Sequence, residues 1–91
     1  MPSPLIFPVH GVYFRSRDTR LFVENITDPI VCALIHEPTN MHDTNAIKVM
    51  HGERHLGYVP YNLTRLFADR DNVPCLVSSN CQDPQKPFVT V

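Results

Sequence analysis

The sequence predicts a mainly β fold, a small barrel of six short strands accompanied by two short helices. Nine prolines and only three glycines indicate short strands that are joined by stiff turns. Apolar runs of strand length recur along the chain, whereas only two segments have helical spacing. Because the helices are few, the sheet must supply the core, and closing it into a barrel removes exposed strand edges. A chain of 91 residues has room for one core, so residues 1–91 are expected to form a single domain.

Six segments have the composition of β-strands. They are residues 5–14, 29–37, 46–50, 54–59, 73–79 and 87–91. In the first segment, Pro8 and Gly11 mark a bend, a bulge or a sheet edge. Between the third and the fourth, Gly52-Glu53 fits a two-residue hairpin turn with glycine in the first central position. The last strand, in "KPFVTV", is expected to lie at a sheet edge, where it could pair with a second copy and form a homodimer.

Two segments have helical spacing, one near residues 19–26 and one near 60–69. In the first, Asp18 or Thr19 can cap the helix, because either side chain can accept a hydrogen bond from a free backbone N–H group. In the second, Pro60 suits the first turn, where its missing N–H group costs no hydrogen bond. Apolar residues follow at helical intervals, which is typical of a helix with one buried face.

Composition and motifs argue against several classes of function. The formal net charge is −1, so nucleic-acid binding would need a local basic patch rather than an overall positive field. The chain has no phosphate-binding loop, dinucleotide fingerprint, HExxH or GxSxG motif, and we expect no catalytic residue and no cofactor. No apolar run approaches the roughly 20 residues of a spanning helix, and no signal peptide is recognisable. We therefore expect an intracellular protein, either cytoplasmic or in the nucleoid or nucleus.

The cysteines and histidines form no recognisable metal or catalytic motif. Cys32, Cys75 and Cys81 are odd in number and lack a CxxC pair, which favours buried thiols over disulfides. His51 and His55 would share a face only on a helix, and the predicted hairpin turn lies between them. We therefore expect neither a disulfide nor a metal site.

The segment "HEPTNMHDTNAIKV", between the second and third predicted strands, has two interpretations. In the first it is a structural loop: Pro38 ends the strand, and the polar residues bond nearby backbone or adopt left-handed φ angles. Those polar residues are Asn40, Asp43 and Asn45. In the second interpretation, Asp43 also presents its carboxylate to a ligand. The residues alone leave both interpretations open.

The same segment resembles the HIRAN domain family. The residues that carry the resemblance are Glu37-Pro38, Asn40, Asp43, Asn45-Ala46-Ile47, Val49 and Gly57-Tyr58-Val59-Pro60, with "VHGVYF" upstream similar to the family's opening strand. The resemblance covers about residues 9–68, and residues 73–91 add the C-terminal strands. It implies an OB-like β-barrel with two helices, acting as a non-enzymatic DNA-binding module. In members that belong to fork-remodelling enzymes, the domain holds the 3′ end of single-stranded DNA.

The resemblance implies roles for nine residues toward a 3′-hydroxyl end. Asp43 would accept a hydrogen bond from the hydroxyl, because an anion beside a phosphate backbone is useful only toward a donor. Tyr13, Phe14 and His42 would support bases, and Tyr58 and Tyr61 would line the pocket. Arg15, Arg17 and Arg20 would contact phosphates. Because adjacent strand residues point in opposite directions, one of Tyr13 and Phe14 should face the core.

A protein-interaction domain on the same barrel, with little or no affinity for DNA, is the alternative function. Two positions that are often basic in the family are His36 and Tyr61 here. The overall charge is also slightly negative. Both observations lower the expected attraction for phosphate, and the sequence leaves the two functions open.

Overall fold

The computed structural model describes residues 4–91. Six antiparallel strands form one sheet that curls strongly into a half-barrel with two short helices, which confirms the predicted mainly β fold. The strands are β1 (Ile6–Pro8), β2 (Ile30–His36), β3 (Ile47–His51), β4 (Arg54–Tyr58), β5 (Val73–Ser78) and β6 (Phe88–Thr90). Their order across the sheet is β1-β6-β5-β2-β3-β4.

A single backbone bridge joins the two ends of this curled sheet. The His10 N–H donates to the Tyr58 carbonyl over 2.8 Å, and the Tyr58 N–H donates to the His10 carbonyl over 2.7 Å. The approach requires glycine at position 57, because a Cβ there would lie 2.5 Å from the His10 carbonyl oxygen and 2.6 Å from Val9 Cγ1. The chain after β1 therefore closes against β4 through one pair of hydrogen bonds.

The first strand is shorter than the sequence predicts, because β1 ends at Pro8 rather than at residue 14. Gly11 turns the chain with φ of +80°, and Val12–Phe14 then form a short 3₁₀ turn with Val12 buried. Tyr13 and Phe14 are consequently both exposed, by 69% and 82%. The expectation that one of these two aromatics faces the core is wrong, since it assumed a strand.

The predicted edge position of the last strand is also wrong. β6 lies between β1 and β5, with Thr90 opposite Ile6 on one side and Leu76 on the other. Its backbone groups are therefore already paired on both sides, and the strand has no free edge to offer a second copy. The proposed route to a homodimer is removed, while the oligomeric state itself stays untested.

The two helices lie close to their predicted positions but differ in how they begin. Helix α1 (Arg17–Glu24) starts earlier than expected, because Ser16 Oγ accepts from the Thr19 N–H over 3.3 Å and is the cap. The second is a 3₁₀ helix, Tyr61–Phe67. There the Thr64 hydroxyl donates to the Tyr61 carbonyl over 3.0 Å, which competes with α-helical bonding.

The hairpin between β3 and β4 forms at the predicted turn. His51 pairs with Arg54, and Gly52 adopts φ of +60°. A bulge at Val49/Met50 shifts the register, so Leu56 and Gly57 are both buried although they are consecutive. This shift places β4 correctly for the bridge at Tyr58.

The core fills the inside of the curl. Its largest fully buried side chains are Leu34, Ile47, Leu56, Val9, Val12, Val23, Val49, Val77, Val89 and Pro87. Cys32 and Cys75 face each other across β2 and β5, and burial raises the pKa of their thiols to about 12 and about 11. Cys81 is exposed, so the expectation of a buried thiol is wrong there, because it lies in the turn before β6. Between residues 4 and 91, no helix is long and apolar enough to cross a membrane.

Candidate nucleic-acid interface

The loop between β2 and β3 is built by its own polar side chains. Asn40 Oδ1 accepts from the backbone N–H groups of His42 and Asp43, over 2.9 Å and 3.0 Å. Asp43 Oδ1 accepts from the Asn45 N–H over 2.8 Å, and the Asp43 carbonyl accepts from the Ala46 N–H over 3.0 Å. These bonds give the loop a fixed shape without a glycine, as the structural interpretation expects for Asn40 and Asp43. The expectation is wrong for Asn45, which contributes its backbone N–H group and has no left-handed φ.

Glu37 ties this loop to β4. Its Oε1 accepts from the Tyr58 hydroxyl over 2.9 Å and from Asn40 Nδ2 over 2.7 Å, while Lys48 Nζ lies 3.8 Å from Oε2. Burial alone would raise the pKa of Glu37, but these two hydrogen bonds and the charge of Lys48 outweigh it and hold the pKa below its ordinary value. Burial and the Glu37 carboxylate raise the pKa of Tyr58. Glu37, Tyr58 and Asn40 thus form a wall between the loop and β4, in which the charged acceptor already has its hydrogen-bond donors.

A cavity of about 350 Å³ opens beside this wall. The residues that line it are His10, Asn40, His42, Asp43, Ala46, Tyr58, Val59 and Tyr61. Four of the nine predicted site residues are among them: His42, Asp43, Tyr58 and Tyr61. Tyr61 is 82% exposed at the rim, and the Tyr58 hydroxyl is already engaged with Glu37.

Arg15 lies on a different surface, an open cleft of about 650 Å³. The cleft is lined by Arg15, Ser16, Thr19, His51, Glu53, Arg54 and His55. Arg15 Nη1 donates to His55 Nδ1, and His55 Nε2–H donates to the Gly57 carbonyl over 2.9 Å. Burial and the adjacent charge of Arg15 lower the pKa of His55. The His55 ring meets the Tyr58 ring edge-on at 4.8 Å between centroids, so cleft and cavity adjoin at this pair.

The remaining predicted residues form a third surface around the start of α1. Tyr13, Arg17 and Arg20 line a shallow pocket, and the Arg20 guanidinium lies 5.7 Å from the centre of the Tyr13 ring. Phe14 packs edge-on against Tyr13 with 5.8 Å between ring centroids. The three arginines therefore do not line one surface, because Arg15 contacts His55 in the cleft while Arg17 and Arg20 line the pocket beside the helix.

The position that is often basic in the family, His36, has a structural task. Its Nε2–H donates to the Phe67 carbonyl over 2.8 Å, and its backbone N–H donates to Asp71 Oδ1 over 2.9 Å. Both contacts hold the end of the 61–67 helix against β2. His36 is therefore committed to the fold and does not line the cavity.

Sequence reasoning missed several residues that build these surfaces. Glu37 and Asn40 carry the resemblance in the sequence, but neither is among the predicted site residues. His10 and His55 carried no signal, since their positions depend on the closing bridge and on the bulged hairpin. His51 and His55, the two histidines four residues apart, each form a hydrogen bond with a backbone carbonyl. His51 Nδ1 lies 2.9 Å from the Val31 carbonyl oxygen. Residues 4–91 contain no group of three or more possible metal ligands.

Comparison with known proteins now assigns the family. The sequence matches the HIRAN domain over residues 5–79, well over half of the chain. No curated protein and no solved structure matches it. The matched residues run from the beginning of the described sheet to the end of β5 and include every residue that lines the cavity. HIRAN domains are generally DNA-binding modules, which in larger proteins accompany enzymatic domains. This chain, whose motif residues build one loop and one cavity beside a curled sheet, belongs to the HIRAN domain family.

Proposed function

We propose that this domain binds single-stranded DNA and takes a free 3′-hydroxyl end into the cavity between the β2–β3 loop and β4. The observation that carries the proposal is the position of Asp43. Its side chain lines the cavity while one carboxylate oxygen, Oδ1, is held by the Asn45 N–H. The loop thus fixes the direction of the carboxylate and leaves the second oxygen for a ligand.

Electrostatics favour an end over a continuing strand. None of the described residues that line the cavity is lysine or arginine, and the acidic residue among them is Asp43. An internal phosphodiester or a 3′ phosphate would be repelled there, whereas a 3′ hydroxyl donates a charge-assisted hydrogen bond. A carboxylate in such a place therefore selects for the terminal hydroxyl.

Aromatic side chains at the rim can support the terminal bases. Tyr61 is 82% exposed beside the cavity, and the His42 ring is exposed on the loop. A base that stacks on an aromatic ring gains about 1–3 kcal/mol without regard to its identity. We expect binding with little sequence preference. Since the ligand is DNA, we also expect the protein to act inside the cell.

The test is a comparison of two strands that differ only at the 3′ end. We expect Asp43→Asn to weaken binding of a 3′-hydroxyl strand by about 1.5–3 kcal/mol, the range for a hydrogen bond to a charged group. Binding of the 3′-phosphorylated strand should stay the same or improve, because a repulsion is removed. The free energy of unfolding should change by less than about 1 kcal/mol, since asparagine also forms this turn. Fluorescence anisotropy and chemical denaturation measure these quantities.

Asp69→Asn is the matched control, because Asp69 is exposed in the turn after the 61–67 helix and loses the same charge. It should leave the preference between the two strands intact. Equal affinity of the unmodified protein for both strands contradicts the end-binding role. A third outcome is that Asp43→Asn unfolds, while the fraction that stays folded and the Asp69→Asn protein both keep the preference. That outcome assigns Asp43 to the structure of the loop alone.

A second candidate, a protein-interaction surface, has its own observation. Ile6, Leu76 and Val31 are exposed by 56%, 45% and 70%. They form a row on the outer face of the sheet, since Thr90 lies opposite both Ile6 and Leu76, and Leu76 lies opposite Val31. An apolar row of this kind suits a protein partner. This candidate takes precedence if neither strand binds at low salt.

A further inference from the structure

The open cleft around Arg15 contains two guanidinium groups that are held in fixed positions. Arg15 Nη1 donates to the ring of His55. Arg54 Nη1 donates to Thr19 Oγ1 over 3.2 Å, and its guanidinium lies 4.8 Å from the centre of the Phe22 ring. Each contact uses part of a group that carries several N–H donors, so donors remain for a ligand.

Neither guanidinium is neutralised by a carboxylate. Within residues 4–91, the ion pair of the structure is Lys48 with Glu37, and it includes neither arginine. Glu53 is the acidic residue that lines the cleft, and it forms an ion pair with neither arginine. Two fixed, unpaired cations in a cleft of about 650 Å³ create a positive site for an anion.

The cleft adjoins the cavity that is proposed for the strand end. Tyr58 lines the cavity, His55 lines the cleft, and the two rings touch. A strand whose terminal nucleotide enters the cavity can therefore leave it across this pair of rings. Its backbone then meets Arg15 and Arg54, whose planar forks match a phosphate group.

We propose that Arg15 and Arg54 together bind a backbone phosphate of the single strand that this domain holds. The inference rests on the proposed function, since it takes single-stranded DNA as the ligand. Arg54 thereby joins the interface, and Arg15 binds the strand apart from Arg17 and Arg20. The pair supplies positive charge that the chain lacks at His36 and Tyr61.

The experiment measures the affinity of a 3′-hydroxyl strand at several salt concentrations. We expect Arg15→Gln and Arg54→Gln each to weaken binding at low salt by about tenfold, because one phosphate contact is lost. The slope of log affinity against log salt should become shallower by about 0.7 when both arginines are replaced, the value for one phosphate of a single strand, and by a part of this in each single variant. The ratio of affinities for 3′-hydroxyl and 3′-phosphorylated strands should not change. A dinucleotide too short to reach the cleft should bind all three proteins alike.

Arg70→Gln is the matched control, since Arg70 is exposed after the 61–67 helix and its loss changes the net charge equally. It should retain the slope of the unmodified protein. Arg54→Lys keeps a cation and should retain the salt slope. If the loss of contact with Phe22 prevents Arg54→Gln from folding, Arg15→Gln carries the test of the phosphate site alone.

The possible results separate the two proposals. Unchanged slopes in Arg15→Gln and Arg54→Gln, or an equal loss in Arg70→Gln, overturn the phosphate site. If the protein binds 3′-hydroxyl and 3′-phosphorylated strands equally but these variants lose affinity, the phosphate site stands and the role of Asp43 is contradicted. Absence of any strand binding overturns both.

Discussion

Two surfaces of this domain offer aromatic and polar groups to a ligand, and they differ in how firmly the fold holds them. Beside the cavity, Glu37 accepts from Tyr58 and Asn40, and Asn40 in turn holds the backbone of Asp43. At the start of α1, Tyr13 and Phe14 are 69% and 82% exposed, and ring contacts are the interactions that position them. The first surface is held by a chain of hydrogen bonds and is called the rigid surface below. The second is held through ring contacts and is called the adaptable surface.

The difference indicates a division of labour. Groups that are ordered during folding cost little entropy on binding and can discriminate between ligands that differ by one group. Exposed rings add contact area but must themselves be ordered, so they contribute affinity with little discrimination. We therefore expect the choice of strand end to reside in the cavity and a general gain in affinity to come from Tyr13 and Phe14.

Gly57→Ala should have the largest effect, because it disrupts the fold that positions both surfaces. The new Cβ would lie 2.5 Å from the His10 carbonyl oxygen, so the bridge that closes the sheet must open. We expect the free energy of unfolding to fall by about 3 kcal/mol or more, as measured by urea denaturation. Gly52→Ala is the control, because no atom lies within 4 Å of its added Cβ and the positive φ alone costs about 1 kcal/mol. Equal losses in the two variants would show that the closure tolerates side chains.

Glu37→Gln should weaken the rigid surface and leave the adaptable one intact. The hydrogen bonds from Tyr58 and Asn40 lose their charged acceptor, so we expect the free energy of unfolding near pH 7 to fall by about 1.5 kcal/mol. The folded-state pKa of Glu37 is below its ordinary value of 4.5. Its stabilising contribution is therefore fully present above pH 4.5 and is lost as the pH falls through the lowered pKa.

The stability difference between Glu37→Gln and the unmodified protein should accordingly shrink toward zero in acid. Chemical denaturation at a series of pH values measures it. Glu24→Gln, on the exposed face of α1, provides the control and should follow the unmodified protein throughout. A difference that stays constant with pH would mean that the carboxylate charge is unimportant for the wall.

Replacement of the adaptable aromatics should have the smallest effect on folding. We expect Tyr13→Ala and Phe14→Ala each to reduce strand affinity by about 1 kcal/mol, the low end for stacking on a base. The free energy of unfolding should change by less than about 0.5 kcal/mol, because both rings are exposed. Val31→Ala, also exposed but on the outer sheet face, should alter neither quantity. A changed preference for the 3′ end in either aromatic variant would contradict the proposed division.

Local chemistry made part of this architecture predictable from the sequence. Gly52-Glu53 forms the expected hairpin turn, and Asn40 and Asp43 shape the loop because their side chains accept from backbone groups two or three residues away. Such bonds depend on neighbours in the chain and so can be inferred from spacing alone.

Features that join distant segments were not predictable. The bridge of His10 to Tyr58 needs the bulge at Val49/Met50, and neither has a local signal. For the same reason Arg15 was grouped with the arginines nearest in sequence, although its partner, His55, lies forty residues away. The prediction of the cap of α1 was wrong for a different reason. Ser16 and Asp18 are both good capping residues, and only the tertiary path of the chain decides between them.

The pairing of β1 with β6 sets the order in which this domain can be assembled. Ile6 lies opposite Thr90, so the first strand finds its neighbour only after residue 90 has been synthesised. The matched family segment ends at residue 79, before this neighbour begins. Contacts of such long range slow folding, and the segment that carries His10 must wait for them. Binding of single-stranded DNA should therefore stabilise β6 as well as the loop. The Val91 amide donates to the Leu5 carbonyl, so its hydrogen exchange would report occupancy of the distant cavity.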